Sequence, residues 1–455
     1  MTTTDVSSAI ELIPEYATKS YNALSATDLL SDEVQQRRET GYDVDDFIEE
    51  ANRTDPTDRT VVLDIVDRMA FASRRSNWNY REPDELAEIE ASLHALPVAA
   101  KVPERVLRDK VNAAWLGRIA GCNLGKPVEW GFHWTASHIR SYLELAGAYP
   151  LRDYFPVMDP MPGGFEFTAC WPETTRGNIA GSARDDDIDY PILALHLLET
   201  HGASLRPEHV GAAWTRLFPI EQVYTAERAA YINLVDGFTV PDVARRRNPY
   251  REWIGAQIRG DVFGYVYAGD PWAAAQLSFQ DASLSHVGNG IYGEMWAAAL
   301  VAAAFTAASA REALETSLLV VPVQSRLAEA LRYVLQLKDS GITWDVALAA
   351  IQDAYGRYSW VHTINNAAAV AAAILWSEGD FMTGLGRVVM SGWDTDSNGA
   401  TVGSVLGILS GMDNLPDHLI APLQNRTRSA LFGFDNSVIS ELADRTIELT
   451  INGLP

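Results

Sequence analysis

A chain of 455 residues, 47% of them apolar, can bury the core of one large domain or of two to three ordinary ones, which excludes disorder over most of its length. Its 60 acidic and 36 basic residues give a formal charge of −24, so a nucleic-acid backbone or an anionic membrane would be repelled before contact. A small phosphorylated substrate stays open, because a local Arg, a helix terminus or a metal can hold it. Residues 1–17 lack a basic start and a long apolar run, so no signal peptide is expected. No stretch reaches the roughly 18 apolar residues of a spanning helix, and residues 296–308 come nearest. Cys122 and Cys170 are too few for a disulfide framework or a thiolate metal site. The expectation is a cytoplasmic protein with neither nucleic acid nor membrane as partner.

Residues 1 to about 100 are rich in Asp, Glu, Ser and Thr, yet Val61, Val62, Ile65, Val66, Met69 and Ala70 share one helical face. A helical N-terminal extension or cap over 1–100 is expected to pack onto a main domain over 101–455. From Pro103 the pattern becomes all-α, with Val106, Leu107, Val111, Ala114, Trp115, Leu116 and Ile119 at i, i+3, i+4 spacing. Gly117, Gly121 and Gly125 then recur every four residues and leave one helix face bare, so a neighbouring backbone can approach closely. Segment 126–180, dense in Pro, Gly and aromatics such as Trp130, Trp134, Phe155, Phe167 and Trp171, predicts an irregular, aromatic-walled loop region. Helices are predicted over 188–199, 207–217, 225–234, 272–277, 291–308, 325–336, 343–355, 365–376, 381–389 and 401–409. Strand signals are scarce, so the fold class is all-α.

Four stretches carry candidate chemistry. Asp394, Asp396, Ser397 and Asn398 stand between Gly392 and the apolar run Val402, Val405, Leu406, Ile408 and Leu409. Residues of these types cap helices, and carboxylates so placed also ligate hard cations. Asp185, Asp186 and Asp187 directly precede a second apolar helix. Three adjacent carboxylates repel by about 1 kcal/mol per close pair in water, a cost that either solvation or a cation removes. Two such helix starts brought together bind one or two hard cations. Glu129 follows the glycine helix, as either a surface residue or a ligand. His286, Asn289 and Tyr292 open a long Ala-rich helix, in either structural or pocket roles. There is no phosphate-binding Gly-x-x-x-x-Gly-Lys-Ser/Thr and no Gly-x-Ser-x-Gly elbow, while His196 and His201 are wrongly spaced for zinc.

Together these stretches resemble the ADP-ribosylglycohydrolase family, which includes dinitrogenase reductase-activating glycohydrolases. The segment from Gly117 to Glu129 is similar to its glycine-rich first helix and following acid, and Asp185-Asp186-Asp187 to its Thr-Asp-Asp. Asp394-Thr395-Asp396-Ser397 is similar to its Asp-x-Asp-Thr/Ser, Ser285-His286 to its Thr/Ser-His, and the segment from His362 to Ala367 to a helix start of bacterial members. The resemblance implies a compact helical fold with two Mg2+ ions, replaceable by Mn2+, in a central cleft. Implied ligands are Glu129, Asp185, Asp186, Asp187, Asp394, Asp396 and Ser397, with Asp185 standing where the family has Thr. It also implies hydrolysis at the anomeric carbon of an ADP-ribosyl or related ribosyl group carried by a small molecule or a protein. Cleavage of a ribosyl bond passes through an oxocarbenium-like state and needs an activated water, so Glu129, Asp185 or Asp187 would serve as the catalytic carboxylate. Gly125, His286, Asn289, Tyr292, Trp393 and Asn398 are the candidate substrate contacts. Two rival readings are a nucleoside or small N-glycoside hydrolase, and a non-catalytic crystallin-like structural protein.

Overall fold

The structure is a computed structural model that describes residues 25–455, so segment 1–17 lies outside it. Its longer helices are, in chain order, α1 (Ala26–Glu39), α2 (Asp45–Ala51), α3 (Arg59–Met69), α4 (Glu104–Gly125), α5 (Ala136–Leu145), α6 (Asp186–His201), α7 (Pro207–Leu217), α8 (Thr225–Val235) and α9 (Pro271–Ala282). They continue as α10 (Asn289–Ala304), α11 (Ala310–Leu318), α12 (Arg326–Asp339), α13 (Trp344–Tyr355), α14 (Thr363–Leu375), α15 (Phe381–Met390), α16 (Thr395–Ser410) and α17 (Ile439–Asn452). Strands among the described residues are limited to β1 (Arg426–Thr427) and β2 (Ser437–Val438), an antiparallel pair. The fold is all-α.

The bare face of α4 meets an equally bare face of α16. A Cβ added at Gly117 would fall on the carbonyl of Gly403, one at Gly121 on that of Gly399, and one at Gly125 on that of Thr395. Each step of four along α4 is a step of four back along α16, so the helices run antiparallel with backbones in contact. That seam sets the end of α4 beside the start of α16. Helices α10 and α14 are buried along their whole length, as expected of helices apolar all round. Helix α9 lies along α10, α15 and α14 against α16, and α17 against α4, where the Trp115 indole donates to Thr446 Oγ1 at 3.1 Å.

Helices α1 and α3 make a small apolar cluster of their own, with Leu30, Val34, Val62, Ile65, Val66 and Met69, apart from the main core. Their link to the rest is polar and buried. Arg251 donates to both oxygens of Glu33 (2.7 and 3.0 Å), Tyr250 to Asp32 (2.8 Å), and Gln36 to Glu252 (2.9 Å). Arg326 joins this network through Glu82 and Glu252.

Several boundaries differ from the sequence reading. Helix α16 starts at Thr395 rather than 401, because the glycine seam holds weak helix formers in helical conformation. Helix α5 lies inside the stretch expected to be irregular, capped by Thr135 and burying Ile139, Tyr142 and Leu143. The aromatics of that stretch divide: Trp134, Phe155 and Phe167 pack with Tyr142 in the interior, while Trp130 and Trp171 remain exposed. Helix α10 ends at Ala304 rather than 308. No described helix is long and apolar enough to cross a membrane.

Candidate active site

Three chain segments bring carboxylates together. At the start of α6, Asp185 is the N-cap, with Oδ1 accepting the Asp187 N–H at 2.8 Å, and Asp186 and Asp187 fill the first turn. At the start of α16, Gly392 and Trp393 adopt φ of 73° and 62°, a left-handed pair that turns the chain sharply and is unusual for a bulky Trp. Asp394 then occupies the N-cap position, but its side chain makes no capping bond and is left for other work. Glu129 follows a 3-10 turn (Lys126–Val128) at the end of α4, and the antiparallel seam carries it to the same place.

Two triads result, Glu129–Asp394–Asp396 and Asp185–Asp187–Asp396, each with one oxygen per residue within 4.8 Å of the others. Asp396 belongs to both. Ser397 Oγ donates to Asp187 Oδ2 at 3.0 Å and ties the two helix starts together. Arg118, fully buried, donates to the Asp187 carbonyl (3.0 and 2.8 Å) and to Asp261 (2.7 Å). Burial, and then repulsion from Asp396, pushes the carboxyls of Glu129, Asp187 and Asp394 well above the ordinary range. Burial also raises Asp186, against the pull of Arg184 and Lys126. Carboxylates this crowded need protons or cations. An all-oxygen set of this kind suits a hard cation.

A cavity of about 430 Å³ opens onto these acids. Its lining includes the acids Glu129, Asp186, Asp187 and Asp394 with Ser397, and also Tyr224, Glu227, Trp253 and Trp360. One wall is a paired segment in which Ile254 N–H donates to Val361 O (2.9 Å), Thr363 N–H to Glu252 O (3.2 Å) and Thr363 Oγ1 to Trp253 O (2.9 Å). Helix α1 backs that wall through Glu252 and Arg251.

The remaining predicted contacts take other places. Gly125 is a packing residue against Thr395. Asn398 is buried and donates to Asn366 Oδ1 at 2.7 Å, and neither it nor Ser397 caps α16. Trp393 is half-buried outside the cavity lining. His286 lies behind the wall, its Nδ1 beside Ser285 Oγ (2.8 Å) and its Nε2 3.9 Å from Glu227; burial and Arg259 hold it neutral, its pKa well below the usual value. Asn289 bonds to Glu82 (2.7 Å) and Glu252 (2.9 Å), and Tyr292 donates to the Pro83 carbonyl, so both face the N-terminal segment instead of the acids. Lining residues that sequence reasoning missed are Lys126, Arg184, Tyr224, Glu227, Trp253 and Trp360. A lysine inside a Gly- and apolar-rich stretch was the one available signal; the tryptophans looked like any core aromatic.

The sequence family described as ADP-ribosylglycohydrolase matches residues 103–453. A solved structure titled "ADP-ribosylglycohydrolase-related protein complex" is similar at 19% identity, covering 76% of this chain and 99% of that one, with a TM-score of 0.47. None of the curated proteins compared with the chain matches it. With a family match over more than half its length, and with that family's acidic segments meeting at one cavity, the chain belongs to the ADP-ribosylglycohydrolase family and is a glycohydrolase.

Proposed function

We propose that the chain hydrolyses the bond at the anomeric carbon of an ADP-ribosyl or related ribosyl substrate, with Mg2+, or Mn2+ in its place, held by Glu129, Asp394 and Asp396. The observation that carries this reading is the meeting of carboxylates from three distant segments in the lining of one cavity. The donors fit the ion: all are oxygens, Asp394 is not spent on its own helix, and burial with repulsion from Asp396 disfavours the unpaired charges of Glu129 and Asp394. When bound, such an ion orients sugar hydroxyls and makes a nearby water more acidic.

The chain's own residues do the rest. Glu129, half-buried in the cavity lining, accepts the proton of the attacking water. Asp186, half-buried beside it, stabilises positive charge developing on the ribose ring. Asp185 is left with no catalytic part, since one oxygen holds the Asp187 N–H and the other Lys126. Ser397 orients Asp187, and Trp253, Tyr224 and Trp360 wall the sugar from bulk water. Residues 25–100 act as a cap that stiffens the wall at 250–254 through Asp32, Glu33 and Gln36.

One observation favours a smaller substrate, a nucleoside or small N-glycoside. Lys126 and Arg184 are the basic residues of the lining, and both are paired with carboxylates, Asp185 and Asp189, so neither is left for a pyrophosphate. Mass-spectrometric product analysis on ADP-ribosyl-arginine, ADP-ribosyl-serine, an ADP-ribosylated protein, O-acetyl-ADP-ribose and nucleosides, with and without chelator, separates the versions. Cleavage of nucleosides alone defeats the ADP-ribosyl version, and turnover indifferent to chelator defeats the metal.

A further inference from the structure

The triad Asp185–Asp187–Asp396 already contains a cation. The Lys126 ammonium lies against Asp185 Oδ2 and 3.9 Å from Asp396 Oδ2. The turn that ends α4 delivers it there, and its side chain is only 14% exposed. Two more of the triad's oxygens have partners: Asp185 Oδ1 takes the Asp187 N–H and Asp187 Oδ2 the Ser397 hydroxyl, while Asp187 Oδ1 has no hydrogen-bond partner and stands 3.6 Å from Arg118. A metal ion here, needing oxygens at about 2.0–2.1 Å, would have to displace the ammonium from Asp185 and sit beside the buried Arg118.

The other triad shares Asp396 and differs in its two remaining members. Among the described residues, no Lys, Arg or His nitrogen comes within 4.0 Å of the Glu129 or Asp394 carboxylates. Asp185 itself stands where the related segment carries Thr, so the chain adds one buried negative charge at the position the ammonium touches.

We propose that Lys126 replaces one of the two metal ions implied by the family resemblance, so that the chain holds a single divalent ion on Glu129, Asp394 and Asp396. This rests on the metal reading above and narrows it. The ammonium neutralises Asp185 and Asp396, fixes the first turn of α6, and reaches the cavity lining while staying paired with Asp185.

The test is Mn2+ titration of the metal-free full chain by calorimetry, with the bound ion examined by electron paramagnetic resonance. The parent is expected to take one Mn2+ per chain, with the spectrum of an isolated ion. Lys126→Ala and Lys126→Gln, shown to be folded by thermal melting with Mn2+ present, are expected to take two, with a spin-coupled spectrum. Two ions on the parent overturn this proposal alone and leave the metal reading intact, and that result needs no variant. Folded variants that stay at one ion also overturn it. A parent that binds no divalent ion overturns both.

Discussion

Asp396 is the carboxylate on which the acids converge, since it faces Glu129 and Asp394 on one side and Asp185 and Asp187 on the other. Asp396→Asn and Asp394→Asn should each weaken Mn2+ binding by at least about tenfold, or about 1.4 kcal/mol, as read by calorimetry; unchanged affinity would remove both from the ligand set. Glu129→Gln should lower kcat by about 10²–10⁴, the range for a lost proton acceptor, and measuring kcat and KM separately checks that the loss is in turnover. At this scale the acids were legible because Asp185, Asp186, Asp187, Asp394 and Asp396 stand in runs before apolar helices. Lys126 was overlooked because its meaning lies in Asp185, 59 residues away in the chain.

At the scale of elements, the α4–α16 seam positions the site. A methyl at Gly121 would meet the Gly399 carbonyl, which belongs to backbone and cannot rotate away. Gly121→Ala should therefore cost about 1–3 kcal/mol, as overpacking does, and weaken Mn2+ binding too, because it moves the helix ends that carry Glu129 and Asp394. Gly163→Ala, with nothing within 4 Å of the added Cβ, is the control and should stay within about 0.5 kcal/mol. Thermal melts with and without Mn2+ compare the two. The period of four in Gly117, Gly121 and Gly125 announced a close approach, but not its partner: Gly403 and Gly407 lie in the helix expected over 401–409, while Gly399 stands before it among the polar residues, so the matching period was split by the expected helix start.

For the whole molecule, the question is how residues 25–100 are held. Glu33 is buried; desolvation would raise its carboxyl, but Arg251 and Arg37 outweigh it and hold it below the ordinary range. Glu33→Ala should destabilise this segment by about 3–5 kcal/mol, the cost of leaving a buried partner charge unpaired, seen as faster proteolysis of α1–α3 and a raised substrate KM if the cap stiffens the wall. Glu39 behaves oppositely, because burial pushes its carboxyl up to about 7 from 4.5. A raised carboxyl is most favourable to folding while protonated, so its contribution is complete below about pH 4.5 and is lost as pH rises through about 7. Glu39→Gln should raise Tm by about 2–4 °C at pH 8 and leave it nearly unchanged at pH 5.

Local pattern by itself determined that the chain is helical, which helices are buried, and which acids open them, because helix periodicity and capping chemistry are written over spans of a few residues. Only the tertiary structure decided that α4 and α16 lie backbone to backbone, and that Glu129 meets Asp394 and Asp396 across that seam. Tertiary packing also turned Asn289 and Tyr292 toward the N-terminal segment and seated Lys126 among the acids. These are contacts between residues up to hundreds of positions apart, chosen by which faces can be buried together, and no local spacing encodes that choice.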